Sequence, residues 1–472
     1  TDGSFLLQPR RYDPRMRALA PAVALLVVLS GVAVAVPSPS AAGPSAADTP
    51  RVSPAVTPPT PDPAGPTPGA PAQVDAGSPN GTADPAHNVL AIPPGETTRS
   101  SLELEAVELG SGLAFESSTT ERRLSTGSTL ERIESAASDE RRQQLLLQEV
   151  SAIEQRLISL RASQRQATEA YARGELSPRR FVYELAEIDA AARELENRRE
   201  RIQAAAESTP GFSISSSRFG NVELELNTLT GPVRGHAAAV LTGEADSTRF
   251  FVRTGPDSVA LGMLRDGTYV REVYREPLRG GDGGDFSLAD AVNVTEQAYP
   301  AIAAERLRDD TLGSPNSDST RVTIEHRRGR LVAFVDSGSR QVFKEFQFRP
   351  LDRVVTGSSV SATRDGLELT AHRTYPGGPV RLQLNSTEDG EPVNAQITVG
   401  PPGGRSSVVG RTGGDGSLWA VAPTDTYQVT AIDGSSVVVL SVDPTPTPSV
   451  YDTTDGGPDN GTNTSVTTTP AG

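Results

Sequence analysis

The chain has 472 residues, which by length allows about two to four domains. It carries 44 basic and 59 acidic residues, a net charge of -15, and no Cys. An acidic chain has no electrostatic reason to track a phosphate backbone, so nucleic acid is excluded as a partner; without Cys there are no disulfides, thiolate metal sites or Cys nucleophiles. The basic residues are almost all Arg, with Lys344 the only Lys.

Residues 1–15, TDGSFLLQPRRYDPR, precede Met16 and read as an overextended gene start. The segment 16–42 follows, with an apolar run from Ala18 to Val36 and then small residues and prolines. This is the pattern of a secretory signal, long enough to be read also as a retained N-terminal anchor. Arg10, Arg11, Arg15 and Arg17 precede the run, so the remainder is expected outside the cell in either case. Residues 43–100 are rich in Pro, Ala, Ser and Thr and read as a disordered linker. The tail 444–472, rich in Thr and Pro, reads the same way.

The helical section is expected over 121–207, with a shorter helix around Thr129–Ala137 ahead of two long arms. Leu146, Val150, Ile153, Leu157, Leu160, Gln164, Ala167 and Tyr171 alternate spacings of four and three, the seam of a coiled coil. Phe181, Leu185, Ile188, Ala192, Leu195, Arg199 and Ile202 repeat it. Between them Gly174 suits a left-handed helix end, and Ser177-Pro178 an N-cap followed by a first-turn proline. The expectation is an antiparallel helical hairpin, each arm reaching roughly 45 Å.

Residues 212–355 read as an antiparallel α+β domain. Strands are expected at 222–226 (VELEL), 236–254 and 259–276, the last turning at Asp266-Gly267. The stretch FSLADAVNVTEQAYPAIAAERLRDD reads as helix, with a Ser287/Asp290 capping pair and a break at Pro300. Three strands follow within 321–348. Residues 357–443 alternate apolar and polar over short runs with Gly/Asp turns, as in a small all-β sandwich. Trp419, the only Trp, lies among Leu418 and Val421 and reads as core. The fold class is therefore multidomain α+β: helical hairpin, antiparallel α+β domain and β sandwich, with disordered ends.

The motifs DGEPVNAQITV, VVGRTGGDGSLWAVAP and YQVTA, with the turn Thr412-Gly413-Gly414-Asp415-Gly416, resemble carboxypeptidase-regulatory-like, or transthyretin-like, sandwiches of extracellular proteins. The strands of 321–348 are loosely similar to small domains of PepSY-type secreted proteins. YARGELSPRRFVYELAEIDAAARELENR, NTLTGPVRG and TYPGGPV resemble haloarchaeal secreted proteins of unknown function, and the acid excess with Arg for Lys fits a salt-loving source. The resemblance implies export and supplies no active residues.

His87, His236, His326 and His372 lie in separate segments without paired spacing, so no metal or general-base site is expected from them. No Gly-x-Ser-x-Gly elbow or phosphate-binding Gly loop occurs. Lys344, between phenylalanines in a strand, is not read as a Schiff-base Lys. GGDGGD at 280–285 matches the start of a calcium nonapeptide, but as one copy with Ser287 at an apolar position it reads as a loop. No catalytic, cofactor or metal residue is assigned. Asn80, Asn293, Asn385, Asn460 and Asn463 each begin an Asn-x-Ser/Thr triplet and are the glycosylation candidates. The expected function is a non-enzymatic cell-envelope protein, structural, adhesive or binding, with an unidentified protein or glycan partner. It would touch the membrane only through an uncleaved anchor and would self-associate through the hairpin. The alternative is an exported hydrolase or protease inhibitor with its site in the middle domain.

Overall fold

A computed structural model describes residues 74–75, 88–104, 109–281, 285–313 and 317–451. The leader, Asn80, His87, Asn460, Asn463 and most of both terminal stretches lie outside the described residues.

After two short strands, β1 (Val74–Asp75) and β2 (Arg99–Leu104), five helices follow: α1 (Leu109–Glu134), α2 (Asp139–Ala172), α3 (Pro178–Glu207), α4 (Ser216–Leu229) and α5 (Pro232–Leu241). Local chemistry sets their ends. The hydroxyls of Ser138, Ser177 and Ser215 accept the amides of Arg141, Arg180 and Arg218, and Gly174 takes φ +78 after α2. Every residue of both sequence seams is buried. α3 nevertheless buries more than one stripe, because Val182, Tyr183, Ala186, Asp189 and Ala191 are covered too. Its extra faces pack on α1, α4 and α5, so α2 is one partner among several.

An eight-stranded antiparallel sheet carries the middle of the chain. It comprises β2, β3 (Arg249–Gly255), β4 (Ser258–Arg265), β5 (Thr268–Arg275), β6 (Arg306–Leu312), β7 (Ser319–His326), β8 (Gly329–Asp336) and β9 (Val342–Pro350), in the order β2-β3-β4-β5-β9-β8-β7-β6. Between β5 and β6 lie α6 (Leu288–Ala298), opened by the Ser287/Asp290 capping box, and α7 (Pro300–Ala304), separated by Pro300. One sheet face packs Phe250, Val252, Leu261 and Met263 against Phe181, Val233 and Ala237 of the helices. The other packs Val273, Val322, Ile324 and Leu331 against Ala291, Tyr299 and Ile302 of α6 and its surroundings.

The C-terminal sandwich has two antiparallel sheets. One is ordered β1-β10-β11-β12-β15, with β10 (Ser359–Arg364), β11 (Leu367–His372), β12 (Pro379–Ser386) and β15 (Ser417–Val421). The other is ordered β14-β13-β16-β17, with β13 (Gln396–Gly400), β14 (Ser407–Arg411), β16 (Tyr427–Asp433) and β17 (Ser436–Val442). Leu369, Leu382, Ile397, Val429 and Leu440 fill its core.

Several sequence expectations are corrected. VELEL, expected as a strand, is part of α4: Phe219, Val222, Leu226 and Leu229 recur at helical spacing, and burial on further faces hides the stripe behind an apparent alternation. Residues 236–241 are helix, and only 249–254 of that stretch is strand. The segment around Thr129–Ala137 is not a separate helix, since α1 runs from Leu109 through Glu134. The end of the expected helix, ERLRDD, becomes β6 because it pairs with β7. The linker stops well before 100: Val89, Leu90, Ala91 and Ile92 are buried, and β2 pairs with β3. The tail does not leave the fold at 444, because Ser449 bridges Val89 and the Tyr451 hydroxyl accepts the Val342 amide.

Candidate functional site

Two interior centres of ionisable groups lie one on each face of the eight-stranded sheet. The first surrounds the turn between α4 and α5, within NTLTGPVRG. Lys344 of β9 is 1 % exposed and donates through Nζ to the carbonyls of Asn227 (3.3 Å), Thr230 (2.6 Å) and Thr228. Burial pulls its ammonium well below the usual range for Lys. Three acceptors, however, need three N–H donors, which only the charged form has, and they sit at a helix C-terminus that favours a cation. We therefore assign Lys344 as protonated. At the start of α5, Glu272 accepts the Val233 amide (3.0 Å) and the Arg234 guanidinium (2.7 Å), while Asp189 accepts the Gly231 amide (2.8 Å) and Arg193 (2.7 Å). Arg234 also reaches Gln164 (2.6 Å) and the Leu229 carbonyl (3.1 Å). Burial raises the Asp189 carboxyl pKa, although Arg193 and the Gly231 amide oppose the rise. A Cβ on Gly231 would lie 1.9 Å from Glu272, so the carboxylate reaches the turn only because that residue is glycine.

The second centre holds residues 88–92 against the opposite face. Glu345 accepts the Leu90 amide (2.9 Å), the Tyr299 hydroxyl (2.6 Å) and Arg271. Arg271 donates to the Leu90 carbonyl (2.7 Å), Arg275 to that of Ala91 (3.0 Å) and Gln347 to that of Asn88 (2.9 Å). Val89 and Ala91 pack with Tyr269 and Tyr375, and the Tyr269 hydroxyl donates to the Gly377 carbonyl (2.7 Å). TYPGGPV is thus an interior joint between sheet and sandwich. Gly377 has φ +78, and a Cβ there would meet the Phe251 ring at 2.6 Å. Burial pushes the Tyr269 and Tyr299 hydroxyls well above the usual phenol range. In both centres most of these hydrogen bonds run from charged side chains to backbone groups of neighbouring segments and hold those segments to the sheet.

The histidines stay apart. His236 is buried on α5, its ring 6.0 Å from that of Phe250, with neither ring nitrogen hydrogen-bonded. His326 ends β7 and its Nδ1 accepts the Arg328 amide (3.3 Å); burial and nearby Arg349 pull its pKa down to about 4. His372 ends β11. Among the described residues no group of three or more His, Asp or Glu is placed to hold a metal ion. Of the GGDGGD loop, Gly280, Gly281 and Asp285 are described; the Gly280 amide donates to Asp336 (3.3 Å). Asn293 is exposed on α6, but the Thr295 hydroxyl of its triplet is buried and donates to the Ala291 carbonyl (2.8 Å). Asn385 is half-buried at the end of β12, where Thr387 is exposed.

The surface feature that sequence reasoning missed is at Trp419. The expected core position is half-buried instead. Trp419 lines a cleft of about 280 Å3 at the seam where β15 meets β4, with Leu264, Val408, Ser247, Thr248 and Arg249 around it. Arg249 bridges the seam by donating to the Ser407 hydroxyl (3.0 Å) and the Val408 carbonyl (3.0 Å). Alternation alone cannot distinguish a strand face turned to the sandwich core from one turned to a neighbouring domain. A second groove of about 500 Å3 lies between α1, α2 and α3, lined by Arg122, Arg156, Glu194 and Arg198 over Ala152 and Ala191.

Among the described residues no helix is long and apolar enough to cross a membrane. No curated protein and no solved structure matches the chain. Three family models do. Residues 16–246 match a domain of unknown function, DUF7096, and residues 250–355 match a family of unknown function, DUF7094. Residues 358–440 match an archaeal fibronectin-III type-like domain, which is the description found for the sandwich in place of carboxypeptidase-regulatory-like. Helices, antiparallel sheet and fibronectin-like sandwich thus correspond to three matched segments, consistent with an archaeal protein.

Proposed function

We propose that the protein is an exported, non-enzymatic component of a haloarchaeal cell envelope, a head carried on the segment that follows its leader, with a structural, adhesive or binding role toward a protein or glycan. The observation that carries this reading is the anchoring of residues 88–92. The chain arriving from the leader pairs first through β1 at the sandwich edge and then passes between sheet and sandwich, where Glu345, Arg271, Arg275 and Gln347 grip its backbone and the outgoing chain pairs with it at Val89–Ser449. Once the two-residue edge pairing of β1 gives way, a tether on this segment pulls on the centre of the fold instead of on a fraying end. α2 and α3 form an antiparallel hairpin within the head and serve as spacer or self-association element. The acidic, Arg-rich surface keeps such a head hydrated in concentrated salt.

Fractionating the native host and sequencing the N-terminus of the mature product tests this. A start near Ala42–Ala47 gives a released protein, and an intact leader in the membrane pellet an anchored one. A soluble cytosolic product that keeps the apolar run refutes export.

A further inference from the structure

We propose that the Trp419 cleft is a binding site for an uncharged pyranose ring. This deepens the binding role proposed above, while standing on the cleft and not on cellular location. Trp419 is the only Trp of the chain, half-buried at the seam. Among the described residues no ring stacks on it, no guanidinium or ammonium lies over it, and no acceptor takes its indole N–H. The indole N–H of a half-buried Trp without a protein acceptor is left to solvent or a ligand, and the residue lines the cleft. The rest of the wall is mixed: the Arg249 guanidinium is engaged with the Ser407 hydroxyl and the Val408 carbonyl, and the other residues are apolar or carry hydroxyls. Leu264 and Val421 give it apolar surface, with Val408 standing 54 % exposed at the mouth. Ser247 and Thr248 add hydroxyls to the lining; the Thr248 hydroxyl donates to the Leu264 carbonyl (3.2 Å) and keeps its oxygen as an acceptor.

A pyranose presents the complementary surface: a face of C–H bonds that covers an indole, and a perimeter of hydroxyls that both donate and accept. The indole N–H would donate to a ring or hydroxyl oxygen, and Ser247 would exchange hydrogen bonds with the perimeter. The volume of about 280 Å3 is at the small end of ligand sites and suits one ring with the start of a second.

Because the chain has one Trp, its emission reports this cleft alone. The full chain would be titrated in molar salt with methyl glycosides of glucose, mannose and galactose, and with the corresponding oligosaccharides. The expected result is a saturable change in emission; tighter binding of oligosaccharides identifies a glycan chain as the source, and equal binding a free sugar. Ser247 is exposed and outside any element, so Ser247→Phe keeps the fold and the reporter while closing the mouth. It should weaken binding at least roughly tenfold. Trp419→Phe, followed by saturation-transfer NMR, keeps a ring without the N–H and should weaken it less. No saturable response to any glycoside, or a response unchanged in Ser247→Phe, overturns the assignment and leaves the localisation test untouched.

Discussion

Lys344 and Glu345 are consecutive in β9, yet they serve opposite faces of the sheet: Lys344 caps the last carbonyls of α4, and Glu345 grips the backbone of Leu90. Arg271 and Glu272 do the same in the neighbouring strand β5. Four charges in two adjacent strands thus fasten the helical layer to one face and the entering chain to the other. Buried charges are costly to strip of water, and here each is repaid by hydrogen bonds to backbone groups that would otherwise be stranded.

Lys344→Met removes the shared donor of three carbonyls, that of Thr228 buried and those of Asn227 and Thr230 partly buried. A stranded buried polar group costs about 1–3 kcal/mol, and the partly buried pair adds less, so the loss should be about 2–3 kcal/mol in denaturant titration. A shift below about 1 kcal/mol would show that the carbonyls find other donors.

Truncation separates anchor from linker. A chain starting at Asn88 gives up only the two-residue edge strand β1 and should melt close to the full chain. One starting at Pro94 lacks Val89, Leu90 and Ile92, which are 0 %, 0 % and 1 % exposed. It should lose about 5 kcal/mol, or roughly 10 °C in melting temperature. Equal melting of the two would remove the anchoring role.

Leu157 lies in the middle of α2, 7 % exposed. Leu157→Pro breaks the hydrogen-bond ladder and should cost about 3 kcal/mol or more, with a clear drop in helical ellipticity. An unchanged spectrum would count against the paired helices as a structural unit.

His326 should make stability fall with acid. Its folded pKa of about 4 lies below the unfolded value of about 6.5, so between those limits the unfolded chain binds more protons. Stability is therefore unaffected above about pH 6.5, declines as pH drops toward 4, and levels off below. In His326→Gln the decline between these limits should be shallower than in the wild type, measured by melting temperature at constant salt. Parallel curves would exclude His326 as a source.

If the chain is exported and carries N-glycans, mass spectrometry of tryptic peptides from the native protein should find sugar on Asn385 and none on Asn293. The Thr295 hydroxyl next to Asn293 is committed to the Ala291 carbonyl inside α6, whereas Asn385 and Thr387 border a turn. The reverse pattern would mean that modification precedes folding.

The sequence by itself determined those features whose physics is local. The Ser177-Pro178 start of α3, the Ser287/Asp290 capping box, the break at Pro300, the Asp266-Gly267 turn and the two seams of buried positions are all legible, because each depends on neighbours within one or two turns of chain. Only the tertiary structure decided where burial comes from several sides. VELEL and HAAAV pass for strands because α4 and α5 are covered on more than one face, which erases the helical stripe. Leu90 passes for linker because the partners of its backbone, Glu345 and Arg271, lie 255 and 181 residues away. Trp419 passes for core because its strand face meets β4, a neighbour more than 150 residues upstream that no local pattern encodes. Cohesion at such joints is a property of which surfaces meet, and that is settled by packing across the whole fold.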